Sequence, residues 1–285
     1  MSKKIIWIAS YPKSGNTWLR AIISALLYTS KGEFNFNLLK LIEQFDKVQN
    51  YEFIKDTNLH DLKIINKHIE NISKFWIQAQ KNIVFNNKLN PLYNIFKTHS
   101  ANVILNENQF TTPKLTYGCI YIVRDPRDIA FSFASHRGKT INDTIDFMSK
   151  TESYLLPSKN HVLTLLTSWD LHYKSWMLLK VPILLIKYEA LLEHTEIEIK
   201  KIIKFMNQLL NIDEQDLNDK IYNICKSTDI KKFIDYEKKF GFDEASKNRS
   251  FFRKNDSNWK KNLSINQINR IENLFKSTMQ KLNYI

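Results

Sequence analysis

Cysteine is nearly absent from this 285-residue chain. Cys119 and Cys225 stand far apart in no metal-ligand spacing and read as two reduced, buried thiols. Neither a His/Cys cluster, a Walker-type acid nor an EF-hand spacing is present to support a metal site. Glycine and proline number only 5 and 6, and no Pro/Gly/Ser linker, repeat or low-complexity block divides the chain. The expectation is a single domain over residues 1–285. No apolar run is long enough to span a bilayer, and Met1 to Lys4 lead straight into the first strand without a secretory hydrophobic region. A cytoplasmic protein is expected.

Positive charge is abundant: 42 Lys and Arg against 29 Asp and Glu give +13. Such a balance attracts nucleic acid, anionic membrane or anionic small molecules without choosing among them. Much of it is Lys scattered over helices, which reads as a solvated face. The many Asn, Ile and Lys residues mark a compositional bias across the whole chain.

One stretch organises the remainder. Ile5-Ile6-Trp7-Ile8-Ala9 is an apolar run of strand length, stopped by Tyr11-Pro12. Gly15 allows a tight turn, and Thr17-Trp18-Leu19-Arg20-Ala21-Ile22-Ile23 carries helical spacing. Strand, short polar loop and helix form the frame in which N–H groups at a helix start hold an anion. Lys13 adds a cation, and Ser14 and Thr17 add hydroxyl donors, so the loop reads as a phosphate or sulfate cradle. It departs from the nucleotide pattern GxxxxGK[ST], because Lys13 precedes the loop's only glycine. The bare Lys-Ser-Gly also fits a turn entering a core helix.

The whole string Tyr11-Pro12-Lys13-Ser14-Gly15-Asn16-Thr17-Trp18 resembles the 5′-phosphosulfate loop of sulfotransferases that use 3′-phosphoadenosine-5′-phosphosulfate (PAPS), differing only at Asn16, where that family has Thr. Further pieces resemble the family in chain order. Tyr93 to His99 reads as a short strand ending in Lys97-Thr98-His99, like the element whose His is the general base. The resemblance gives His99 that role, and gives Lys97 and Lys13 catalytic roles toward the sulfuryl oxygens and the departing phosphate. An imidazole's reference pKa near 6.5 suits a base working around neutral pH. Strand Tyr117 to Val123 runs into Arg124-Asp125-Pro126-Arg127-Asp128 and a helix through His136. Pro126 suits the helix start, with Asp125 or Asp128 at the cap and first turn. Those residues alone also fit a salt-bridged turn; the resemblance makes Arg124 and Ser132 the 3′-phosphate ligands.

A helix is expected over 161–180, with Trp169 and Trp176 on a packing face and His172 given no catalytic role. Residues 181–189 read as a buried strand before a basic amphipathic helix through Leu210, and residues 34–85 as mostly helical. Tyr188 resembles the family's adenine-contacting Tyr. Thr228 falls in the segment that closes on the base, with Asp229 where an aromatic clamp is usual, and Trp18 stacks on adenine. Arg253 and Lys254 resemble the segment that returns to the 3′-phosphate, although Asn255 replaces its Gly and the stretch to Trp259 is one residue short. An amphipathic helix from Ser264 to Leu282 closes the chain.

The resemblance implies an α/β fold, three-layered, with a mostly parallel central sheet and helices on both faces, like that of P-loop kinases. It implies metal-independent sulfuryl transfer from PAPS to a hydroxyl or amine of a small-molecule acceptor. The cofactor-binding set is then Lys13, Ser14, Gly15, Asn16, Thr17, Trp18, Arg124, Ser132, Tyr188, Thr228, Arg253 and Lys254. Two alternatives stand beside it: a small-molecule kinase of related fold, and a non-catalytic protein binding nucleic acid or another anion. Acceptor-pocket residues are expected within 34–92, 133–156 and 240–251; aromatics such as Phe131, Phe133, Phe147 and Tyr154 suit an apolar or phenolic acceptor and equally an ordinary core.

Overall fold

Five strands build one sheet: β1 (Ile5–Ala9), β2 (Glu43–Gln44), β3 (Asn94–Thr98), β4 (Thr116–Val123) and β5 (Ile183–Lys187), in the order β2-β3-β1-β4-β5. The computed structural model describes residues 4–56, 66–86, 93–211, 217–242, 244–245, 250–252 and 258–285. β1 runs parallel to β3, from Ile5 opposite Asn94 to Ala9 opposite Thr98, and parallel to β4; β2 runs parallel to β3. All five residues of β1 and all five of β3 are buried, as parallel strands covered on both faces require. The α/β expectation is met. β1 lies between β3 and β4, so strand order reverses about it, the kind of position at which open parallel sheets gather reactive groups beyond their carboxyl ends. β1 continues into Ser10 and β3 into His99.

The chain divides into two compact units, residues 1–11, 40–122 and 151–185 in the first, 12–39, 123–150 and 186–285 in the second. In the first, Trp7 of β1 is fully buried and packs its indole against Phe45, Phe110 and Trp176 at centroid distances of 5.1, 5.6 and 6.1 Å. Its Nε1–H donates to Thr116 Oγ1 at 3.1 Å, so the indole's polar edge is satisfied inside the core. In the second, Phe34, Phe36, Phe233, Phe242, Phe251 and Phe252 form an aromatic cluster, with Phe34 stacked on Phe233 at 5.4 Å.

Several elements depart from the sequence reading. Over 34–85 much of the helical structure is 3₁₀, at Phe36–Leu41 and Val48–Asp56, with α-helix at Ile69–Ser73 and Trp76–Asn86; residues 57–65 lie outside the described residues. β2 breaks the run, because Phe45 N–H pairs with the Lys97 carbonyl at 2.9 Å instead of a helical partner. Over 161–180 the helix is confined to Trp169–Met177. Thr164 and Leu165 pair antiparallel with Leu155 and Tyr154, and the Ser168 side chain caps the helix by accepting from Leu171 N–H. β5 is half-buried and ends before Tyr188, which opens the helix Tyr188–Glu193; His194 separates it from Thr195–Leu210. Cys225 is half-buried, whereas Cys119 is buried as expected. The last helix, Ile265–Lys281, begins at a capping box made by Ser264 and Gln267.

Trp7→Ala should lower unfolding free energy by about 3–5 kcal/mol, the usual cost of emptying a large buried aromatic site, as read from the shift in urea midpoint.

Candidate functional site

The second unit carries the loop that follows β1. Lys13 and Gly15 both lie at positive φ, 67° and 93°, and this double reversal turns the chain from strand into the helix Asn16–Tyr28. Gly15 takes its φ at no steric cost, whereas Lys13 carries a strain of about 1–2 kcal/mol. Gly15 also occupies the N-cap, so no side chain caps the helix. The helix start therefore offers its N–H groups and the positive end of its dipole to the loop. Ser14 is 1% exposed and its hydroxyl has no hydrogen-bond partner among the described residues. A buried donor in that state costs free energy until something accepts from it. Anion chemistry fits both features.

Around the loop, the described side chains form a connected set. Lys13 Nζ sits 3.9 Å from the Phe251 ring centroid, and the Lys13 carbonyl accepts from Arg124 Nη1 at 3.0 Å. Arg124 is 2% exposed and its guanidinium lies over the Tyr188 ring at 4.3 Å. Trp18 meets Tyr188 edge-on at 6.1 Å, while its Nε1–H donates to the Thr228 carbonyl at 2.9 Å. Thr228 turns its own hydroxyl back to the Ile224 carbonyl at 2.7 Å, which closes the helix Asn218–Ser227. Asn16 and Thr17 are buried, and Thr17 Oγ1 donates to the Glu244 carboxylate at 3.0 Å. The same carboxylate receives Arg20 Nη1 at 2.6 Å. Ser132 is buried on the helix Pro126–Arg137. Arg253 and Lys254 lie outside the described residues.

The Arg-Asp-Pro-Arg-Asp turn is held from several directions. Asp125 caps its helix by accepting from Arg127 N–H, with Pro126 in the first turn as expected. Arg127 pairs with Asp125 and Glu272, each at 2.6 Å, and its guanidinium lies 3.9 Å from the Trp259 ring. Trp259 N–H donates to Asp128 at 3.0 Å. Burial pushes the Asp128 carboxyl up to about 6 against the pull of Arg124. Glu189 is also raised by burial, while it accepts from Asp125 N–H and Tyr284 Oη. Arg124 thus sits in a field of carboxylates that offsets part of its charge.

The first unit carries the other predicted residues. Lys97, 5% exposed, stands on β3 opposite Ile8. His99 Nδ1 lies 2.7 Å from the Ser10 carbonyl and 3.3 Å from Ser10 Oγ. A carbonyl only accepts, so Nδ1 bears the proton, and in the neutral ring Nε2 holds the lone pair. His172 repeats this logic in reverse. Its Nε2 lies 3.0 Å from the His99 carbonyl and is protonated, so Nδ1 accepts from Tyr121 Oη at 2.7 Å. Complete burial lowers the His172 pKa to about 4. It is a neutral brace beneath the His99 backbone.

The structure thus joins Lys13, Thr17, Trp18, Arg124, Tyr188 and Thr228 in one unit, and gathers Lys97 and His99 in the other. Sequence reasoning missed Arg20, Glu244 and Ser10. Arg20 could have been found: it stands three residues after Thr17, on the same face of an otherwise apolar helix. Glu244 is 227 positions from Thr17 and gives no local signal. Among the described residues no three His, Cys, Asp or Glu side chains gather to hold a metal, and no helix is long and apolar enough to cross a membrane.

A family profile described as a sulfotransferase domain matches residues 3–283. Cytosolic sulfotransferase 16 of Arabidopsis thaliana is 25% identical over 79% of this chain and 60% of its own length. Cytosolic sulfotransferase 6 of the same plant is 22% identical over 96% of this chain and 78% of its own. The chain thus spans less than two thirds of the first of these relatives. Among solved structures, mouse sulfotransferase SULT7A1 complexed with PAP superposes with a TM-score of 0.58 at 21% identity, over 97% of this chain and 84% of that one. Retinol dehydratase in complex with androsterone and the inactive cofactor PAP gives 0.61 at 16% identity, over 96% and 80%. At these identities the likeness carries the fold.

His172 also sets a pH dependence. Its folded pKa, about 4, is below the unfolded value near 6.5, so the unfolded chain binds the extra proton between them. Stability should be complete above pH 6.5, fall by about 3 kcal/mol as pH drops toward 4, and level off below. His172→Gln should flatten that stretch of the curve in urea unfolding followed across pH.

Proposed function

The chain belongs to the sulfotransferase family, and on that premise we propose that it moves the sulfuryl group of PAPS to a hydroxyl or amine of a small-molecule acceptor, with His99 as general base. When bound, PAPS supplies an activated sulfuryl group whose bond to the 5′-phosphate oxygen breaks as the acceptor atom bonds to sulfur. Everything else is asked of this chain's residues: position, charge and one proton.

The observation that carries the reading is the helix start at Gly15, without a side-chain cap and with the buried Ser14 hydroxyl beside it. Gly15 keeps the loop open to a close-approaching anion. Ser14, Asn16 and Thr17 would supply polar groups to the 5′-phosphate, and Lys13 would take up charge as it builds on the departing oxygen. Lys97 would hold the sulfuryl oxygens. Arg124 and Ser132 would hold the 3′-phosphate, assisted by Arg253 and Lys254, and Trp18 with Tyr188 would flank the adenine. These cations serve where phosphoryl transfer uses magnesium.

His99 suits a base because Ser10 fixes its tautomer, leaving Nε2 to accept the acceptor's proton. The two compact units would then serve a single catalytic domain, in keeping with a family match across 3–283. We place the protein in the cytoplasm, as its relatives named cytosolic suggest. Against the kinase alternative stands the order of Lys13 before Gly15, and the Arg124 and Arg253 sites that a 3′-phosphate explains.

His99→Ala should cut turnover by about 10²–10⁴-fold at unchanged affinity for 3′,5′-diphosphoadenosine, measured with labelled PAPS against an acceptor library; near-normal sulfation would remove His99 from the role. Arg124→Ala should weaken calorimetric binding of the same diphosphate by at least about 10-fold, with Arg124→Lys intermediate because it keeps charge but loses the fork. Unchanged affinity in Arg124→Ala would overturn that assignment, and tighter binding of ATP than of the diphosphate would favour the kinase.

A further inference from the structure

On the helix Ile230–Phe240, Glu237 points its carboxylate at a segment fourteen residues on. Oε1 accepts from Phe251 N–H at 2.5 Å and Oε2 from Phe252 N–H at 2.8 Å. Two oxygens of one carboxylate thus hold two successive backbone amides, a charge-assisted pair of bonds that fixes the direction of the chain at that point. Side-chain packing completes the hold. Phe252 is 7% exposed and lodges against Phe233 and Phe242 at 5.0 and 4.9 Å. Phe251 also packs on Phe242, at 5.0 Å, and its ring takes the Lys13 ammonium on its face at 3.9 Å.

We propose that Glu237 is a positioning residue for Lys13: by gripping the amides of Phe251 and Phe252 it sets the Phe251 ring beneath the Lys13 ammonium and so places that cation for the anion held at Ser14–Thr17. The link to affinity rests on the reading given under Proposed function; the link from Glu237 to Lys13 stands on contacts within the second unit alone. Lys13 has a long, rotatable stem, and a flat ring under its head narrows the positions the ammonium samples without neutralising it. An acidic partner in the same place would hold Lys13 but cancel its charge.

Ring current reports the arrangement directly. Lysines would be dimethylated with ¹³C-formaldehyde and the Lys13 signal assigned by its loss in Lys13→Arg. In the wild-type protein the Lys13 methyls should be shifted upfield by the Phe251 ring, and Phe251→Leu should return them to the position of an exposed lysine. Glu237→Gln keeps the side chain's shape but presents an amide NH₂ to one of the two N–H donors, so it should leave the fold intact while breaking the bidentate hold. It should move the Lys13 methyls most of the way toward the exposed position, weaken calorimetric binding of 3′,5′-diphosphoadenosine about 10-fold, and lower kcat/KM for PAPS by at least as much. A Lys13 signal unmoved in Glu237→Gln would overturn the proposal, as would a moved signal with undiminished binding. A moved signal in a protein whose wild type binds no diphosphate would uphold the clamp and overturn the PAPS reading instead.

Discussion

A helix that begins on glycine has to find acceptors for its first N–H groups somewhere other than a capping side chain. The helix after β1 begins that way at Gly15, in a setting where Ser14, Asn16 and Thr17 are all buried. A hydroxyl withdrawn from water, as Ser14's is, costs free energy unless something pairs with it. The side chains around it divide the work of living with that condition. Lys13 rests on the Phe251 ring, Arg124 on Tyr188 and on the Lys13 carbonyl, and Arg20 shares Glu244 with Thr17.

Two histidines illustrate how hydrogen bonds to carbonyls can assign opposite tasks to one side chain. His99 gives its Nδ1 proton to Ser10, and His172 gives its Nε2 proton to His99. The first keeps a basic nitrogen at the end of β3. The second, sealed in the core with Tyr121, has lost its capacity to charge near neutral pH and serves as scaffold. Under the proposed role for His99, a base needs a fixed backbone as much as a suitable pKa, and a neighbour of the same residue type holds the His99 carbonyl.

The parts legible in the sequence were those written locally. β1 and β4 show as apolar runs because parallel strands are buried on both faces, and Asp125-Pro126 marks a helix start because a cap and a fixed φ are short-range chemistry. The α/β class came with the family resemblance that these pieces help to carry. What escaped was of longer range. Residues 161–168 carry apolar spacing compatible with a helix, but Thr164 and Leu165 find strand partners ten residues back, and Ser168 starts the helix late. Residues 36–56 have helical composition yet wind as 3₁₀ turns around the short strand β2, whose pairing with β3 no local pattern announces. Glu244 on Thr17, Phe251 on Lys13 and Glu237 on the amides of 251 and 252 join residues that share no spacing at all. His172 reads as packing in the sequence and is packing in the fold, although its role as a brace for His99 needed coordinates.

Left-handed backbone at a lysine has an evolutionary corollary. Glycine at position 13 would adopt the same φ without strain, so selection for robustness alone would drift this site toward glycine and away from an ammonium. The lysine carries a standing handicap of about 1–2 kcal/mol, so under the role proposed for it position 13 is a place where tolerance to heat and anion binding pull in opposite directions. A library screened only for thermal endurance would be expected to discard the lysine early, and the survivors would be sturdier proteins with a vacant grip.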